Sequence, residues 1–204
     1  MRFTRAELEE FRGCEVDDLV GIGLRLLFVG INPGLWTAAV QTHFAHPTNR
    51  FYPALAAAGI TEYEVDRVTG MSEADRAHLV ARGVGITNLV RRATARASEL
   101  SREELREGGE RLLRFVADHR PKVVAIAGVS AYREAFGERG AALGRQPETL
   151  ESATRWSGAT LWVVPNPSGL NAHETVATLA AAYAAAAAEA GVIAPAAGRY
   201  LAGA

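Results

Sequence analysis

The chain has 204 residues, enough for one well-packed domain and short for two. Apolar residues make up 49% and charged residues 22%, the balance of an ordinary globule, and a formal net charge of −1 leaves only a local basic face as a route to nucleic acid. The lone cysteine, Cys14, excludes an internal disulfide and a cysteine-built zinc or iron–sulfur site.

The opening MRFTRAELEEF carries acidic residues and no apolar core, which does not fit a secretory signal. Within it, TRAE (4–7) has the Ser/Thr-x-x-Glu form of a capping box and predicts a short helix. LRLLFVG (24–30) is the first buried strand, and it stops in GINPG. Gly30 and Gly34 allow close approaches or conformations that a side chain forbids, and Asn32 presents a carboxamide on a turn fixed by Pro33. Taken alone, Asn-Pro-Gly is more often a simple Asx turn. In THFAHPTNRFY (42–52), Phe44 precedes a His-Pro turn, from which its ring can project into a cleft. His43 and His46 invite a metal reading, but no cysteine or nearby carboxylate completes a ligand set, so metal is rejected.

Helices are expected over about 48–58 and 72–81, followed by a second strand, GVGITNLV (83–90). LVRRATARAS (89–98) then carries Arg91, Arg92 and Arg96 with no acid before Glu99. Alone this is a solvated loop; beside a pocket it becomes a phosphate-contacting patch. A capping box at SREE (101–104) opens a helix to about Asp118, with Leu105, Leu112, Leu113 and Val116 on one face, until HRP breaks it. KVVAIAG (122–128) is the third strand. Lys122, the only lysine, stands at its mouth, which speaks against a Schiff-base amine.

A helix over 129–136 leads towards the fourth strand, ATLWVVP (159–165), which ends in NPSGL (166–170). That motif lacks the Gly-x-Ser-x-Gly elbow, so Ser168 reads as a turn or hydrogen-bonding residue. Leu170 is an apolar side chain on a polar loop tip, either a packing contact or a wedge for a base stack. The Ala-rich 174–190 closes the sequence as a helix, too short and too flanked by charge for a membrane span, and 191–204 reads as a loose tail. A cytoplasmic location follows by default.

Near-continuous apolar strands alternating with helices predict an α/β chain: one three-layer α/β/α sandwich, core about 20–190, around a mainly parallel four-stranded sheet. Crossovers should be right-handed. Ligands bind beyond the carboxyl ends of such strands, where GINPG, TNLVRRAT (87–94) and NPSGL all stand. They are expected to converge.

Together these segments resemble the mismatch-specific uracil-DNA glycosylases, the Mug/thymine-DNA glycosylase family of the uracil-DNA glycosylase superfamily. GINPGLW (30–36) is similar to the family's first motif and NPSGL to its second. FAHPTNRFY, GITNLV and RGAALGRQPETL (139–150) are similar to segments between them, in order, over roughly 20–185. The resemblance implies a monomeric, cofactor-free enzyme acting on double-stranded DNA that carries uracil or a related mispaired base. It would flip the base out and hydrolyse its N-glycosidic bond. It implies that Asn32 places the attacking water, that Phe44 stacks on the base, and that Gly30, Ile31, Gly34, Thr37, Asn88 and Asn166 line the base and sugar pocket. Ser168, Gly169, Leu170 and Asn171 would contact the duplex, with Leu170 filling the vacated space, and Arg91 and Arg92 would hold phosphates.

A carboxamide takes up no proton near neutral pH, so Asn32 can orient water but cannot act as its base. Relatives that excise uracil quickly carry an aspartate in the first motif and a histidine where this chain has Asn166; each such group is worth roughly two to four powers of ten, so a slow enzyme is expected. Asn88 stands where one branch has lysine, Asn171-Ala172 where family members place a polar-basic pair, and Trp36 and Thr37 where smaller residues are usual. That last change would tighten the pocket against a 5-methyl group. Two rivals are a damaged-DNA-binding module without catalysis and an unrelated α/β enzyme working through Ser168.

Overall fold

A computed structural model describes residues 3–195. Four parallel strands, β1 (Leu26–Gly30), β2 (Val84–Asn88), β3 (Val123–Ala127) and β5 (Thr160–Val164), form the sheet with a two-residue strand β4 (Gly144–Arg145), in the order β2-β1-β3-β5-β4. The helices are α1 (Arg5–Glu9), α2 (Leu35–Ala39), α3 (Phe51–Ala57), α4 (Glu73–Ala81), α5 (Arg102–His119), α6 (Val129–Phe136), α7 (Leu150–Arg155) and α8 (Val176–Glu189).

The strands alternate between two cores with the period-2 geometry of extended chain. Leu26 and Phe28 of β1 face α3, α4 and α8, whereas Leu27 and Val29 face α5 and α6. β3 divides in the same way, with Val123 and Ala125 on one side and Val124 and Ile126 on the other. Both faces are therefore covered, which explains strands without polar alternation.

The architecture is the expected α/β/α sandwich with one correction: the sheet has five strands. β4 lies antiparallel on the edge beside β5, pairing Gly144 with Val163 and Arg145 with Trp162. An edge strand this short, outside the core, needs no apolar run and so left no hydrophobic signal. The capping boxes at Thr4–Glu7 and Ser101–Glu104 form, and α5 ends at Arg120 in the left-handed region (φ 46°), one residue before Pro121. The start of the expected loose tail is pinned: Val192 is buried, and the Gly191 carbonyl accepts a hydrogen bond from Arg25. Residues 196–204 of that tail lie outside the described residues. Among the described residues no helix is long and apolar enough to cross a membrane.

β1 hands the chain towards β2 on one side and β3 hands it towards β5 on the other, so a crevice opens where the two meet.

Candidate functional site

At the carboxyl ends of the strands lies a cavity of about 620 Å³, walled by three chain segments. Ile31, Asn32, Pro33 and Gly34 follow β1; Asn88, Thr94 and Arg96 come from the end of β2 and beyond; Asn166 and Ser168 to Asn171 follow β5. Thr37, Phe44, His46, Thr48 and Asn49 close the side nearest α2 and α3. Asn32 and Leu170, 138 positions apart in the chain, thus share one cavity.

The turn after β1 is held by the segment after β2, which continues the sheet ladder: Leu89 N donates to Gly30 O (2.9 Å), Val90 N to Ile31 O (2.9 Å) and Thr94 N to Pro33 O (3.1 Å). Asn32 Nδ2 donates to Pro33 O (3.1 Å), Arg92 O (3.1 Å) and Thr94 Oγ1 (2.8 Å). Two of these acceptors are carbonyl oxygens, which cannot donate, so the amide orientation is forced. Thr94 Oγ1 in turn donates to Arg96 O (2.9 Å). Oδ1 of Asn32 is left without a protein donor among the described residues.

Gly30 and Asn88 are partners in register across β1 and β2. A Cβ on Gly30 would come within 2.3 Å of Asn88 Oδ1 and 3.0 Å of the Phe44 ring, so only glycine lets both sit over the strand end. Gly34 differs. Its φ of −76° is ordinary, nothing lies near its missing Cβ, and it serves as the N-cap of α2.

Phe44 takes a left-handed backbone (φ 55°), costly for a bulky residue unless its surroundings over-determine it. They do. Tyr52 Oη donates to His43 O (2.9 Å), Ala45 N donates to Thr37 Oγ1 (3.3 Å), and the Phe44 ring stacks on Phe51 at 4.2 Å. One face of Phe44 is thereby packed while its residue still lines the cavity.

The NPSGL loop is clamped from below by Arg50. Its guanidinium donates to the carbonyls of Ser168 (2.6 Å), Asn171 (2.7 Å) and Glu174, and its backbone N to Pro167 O (3.0 Å). Inside the loop Ser168 N donates to Asn166 Oδ1 (3.0 Å) and Leu170 N to Ser168 Oγ (3.3 Å), so Ser168 serves the turn. Gly169 packs on Thr48, where a Cβ would meet Oγ1 at 2.2 Å. The result is a tip braced by hydrogen bonds, on which Leu170 stands 91% exposed.

The two arginines expected at phosphates do not line the cavity. Arg91 is paired with Glu15 (2.8 Å) and Asp18 (3.6 Å), and Arg92 is forked onto Glu104, whose carboxyl is held down to about 2 by that contact. Arg92 instead lends its backbone carbonyl to Asn32. Arg96 is the cavity's guanidinium, its side chain in no ion pair among the described residues. Trp36 also stands outside, donating its indole N–H to Val68 O (3.2 Å) and meeting Phe3 edge-on.

Sequence reasoning missed the roles of Thr94, His46, Thr48 and Arg50. Thr94 follows the arginine run and Arg50 closes THFAHPTNR, but nothing local distinguishes a clamp from a solvated arginine. No carboxylate appears among the described residues lining the cavity. His46 also stands on the cavity wall, its Nδ1 turned to Thr48, 2.9 Å from Oγ1 and 3.3 Å from the backbone N. What the site offers is fixed dipoles, one guanidinium, an imidazole and an aromatic plate.

His43, read at first only as a metal candidate, is buried behind the pocket, and burial lowers its pKa from the ordinary 6.5; His46 is lowered for the same reason. In the unfolded chain both rings take a proton near 6.5, while the folded state resists it. Below that value the unfolded state binds more protons, so stability is lost as pH falls; above it the two states do not differ. The denaturant midpoint is expected to drop between pH about 7.5 and about 5, and to drop less in His43→Phe. An equal decline in both proteins would refute the assignment.

The family model described as the uracil DNA glycosylase superfamily matches residues 18–188. Among solved structures the chain is similar to a solution NMR structure of a protein from Methanosarcina acetivorans, provisionally assigned as a uracil DNA glycosylase. The TM-score is 0.51 at 16% identity, with 85% of this chain and 98% of that one covered, a likeness of fold.

Proposed function

Because the chain belongs to the uracil DNA glycosylase superfamily, we propose that it is a monofunctional DNA glycosylase of the mismatch-specific kind, taking uracil from G·U mispairs. The observation that carries this reading is a single cavity joining a preorganised carboxamide oxygen, a one-faced aromatic plate and a hydrogen-bonded loop with a bare leucine at its tip.

Each part has a task in the reaction. The extruded pyrimidine stacks on Phe44 and meets Asn88 and Asn166. Asn32 Oδ1 accepts a hydrogen bond from a water aimed at C1′ of the sugar. The C1′–N1 bond breaks, its electron pair leaves with the base, and the water oxygen bonds to C1′ and sheds its proton to solvent. Leu170 fills the hole in the stack, and Arg96 supports the phosphates. Without a carboxylate the bond must break largely on its own, which favours a slow enzyme and poorly paired bases, whose flipping costs a few kcal/mol less.

The deciding assay uses duplexes with one uracil or thymine opposite guanine, read as alkali-labile strand scission under single turnover. Uracil should be released, and thymine should be slower by roughly 10- to 200-fold, the worth of one misplaced methyl beside the buried Thr37. Equal rates would defeat the base restriction. Binding without scission would favour a damage-recognition module, and scission lost in Ser168→Ala but kept in Asn32→Ala would favour a serine enzyme.

A further inference from the structure

Asn88 is buried, and its side chain touches the cavity only in part. Behind it, Asn88 Nδ2 lies 3.0 Å from His43 Nδ1, and His43 Nε2 lies 3.0 Å from the Asp17 carbonyl oxygen. These contacts leave one proton arrangement. The Asp17 oxygen can only accept, so Nε2 carries hydrogen. A neutral ring has one such hydrogen, so Nδ1 is bare and must receive one. Asn88 therefore turns its NH2 towards His43 and its Oδ1 away, to the space above Gly30. Burial, which disfavours the charged ring, keeps Nδ1 bare. A flipped amide would set two lone pairs against each other in a buried contact.

We propose that His43 is a positioning residue that fixes the polarity of the Asn88 carboxamide, so that the pocket shows an incoming base a permanent acceptor. Such a site takes a pyrimidine whose ring nitrogen on the pairing edge carries hydrogen, as N3 of uracil does. It turns away cytosine, whose N3 is bare and would face Oδ1 lone pair to lone pair. His43 touches no substrate; it selects through Asn88. The inference rests on the glycosylase reading for its substrate and on the hydrogen bonds and burial of His43 for its geometry.

Two measurements test it separately. In the full-length wild type, nitrogen NMR of His43 should show a bare, hydrogen-bond-accepting Nδ1 and a protonated Nε2 at neutral pH, with scalar coupling from Asn88 Nδ2 to His43 Nδ1. A proton on Nδ1 overturns the proposal whatever the enzyme does. The second compares single-stranded oligonucleotides carrying 5-fluorouracil or 5-fluorocytosine: fluorine eases departure of both bases and the single strand removes pairing. His43→Phe leaves Asn88 free to turn, and the preference for fluorouracil should fall by roughly tenfold or more, as for loss of one buried hydrogen bond. The change should appear in the ratio between bases, which a merely loosened fold would not move. A folded variant with unchanged preference overturns the proposal. If the wild type releases neither base, the glycosylase reading fails, and the spectrum still decides the amide's polarity.

Discussion

Replacing Asn32 by alanine is expected to lower the single-turnover rate of uracil release by roughly two to three powers of ten, with little change in affinity for the duplex. The reason is geometric. Three hydrogen bonds tie Nδ2 to Pro33, Arg92 and Thr94, so the acceptor Oδ1 is fixed before substrate arrives and little reorganisation remains during reaction. Loss of binding rather than rate would assign Asn32 to recognition. The same network makes Asn32→Asp informative. An added carboxylate would ordinarily be expected to speed hydrolysis, but here its second oxygen faces two carbonyl oxygens that cannot donate. That repulsion raises the carboxyl's pKa or displaces the side chain, so the variant should gain no activity near neutral pH and should be less stable than wild type. A faster Asn32→Asp enzyme would show that the amide's surroundings can yield to a second oxygen.

The second large effect is expected at Arg50. Arg50→Ala removes three charge-assisted hydrogen bonds to the loop carrying Leu170. Such bonds are individually strong, but the freed carbonyls lie near the surface and can rehydrate, so the net cost to global stability should be about 2 kcal/mol. The greater loss should fall on binding: a loop that must be ordered on DNA costs affinity, and the Kd for a G·U duplex should rise roughly tenfold to a hundredfold. Arg50→Lys should not restore it, because one ammonium cannot reproduce a planar fork spread over several carbonyls. Limited proteolysis between residues 168 and 173 offers an independent reading. Unchanged cleavage and affinity would mean that the loop holds its shape without the clamp.

The parts legible in the sequence were those with local causes. Four strands announced themselves because a sheet covered on both faces demands continuous apolar runs, and α1 and α5 did so through their capping boxes. α2 was hidden by Pro33-Gly34, which reads as a turn although Gly34 caps a helix. α7 carries no buried residue to signal it. Of the cavity lining, the amide at 32, the ring at 44 and the leucine at 170 stand in motifs short enough to read. The basic run declares its charge but not where each guanidinium goes: Arg91 and Arg92 turn to carboxylates contributed by residues 15, 18 and 104, and Arg96 reaches the cavity.

By itself the sequence determined the strand and helix pattern, the sandwich it builds and the chemistry available, since hydrophobic periodicity, caps and residue types act over a few neighbours. Only the tertiary structure decided which of those groups meet. Strand order opens the crevice between β1 and β3, Glu15, Asp18 and Glu104 claim two arginines, and the orientations of the Asn32 and Asn88 amides are set by carbonyls and a histidine brought from elsewhere in the chain. A carboxamide has two ends of opposite polarity, and which end faces a ligand depends on what lies behind it, a matter of packing rather than of residue type.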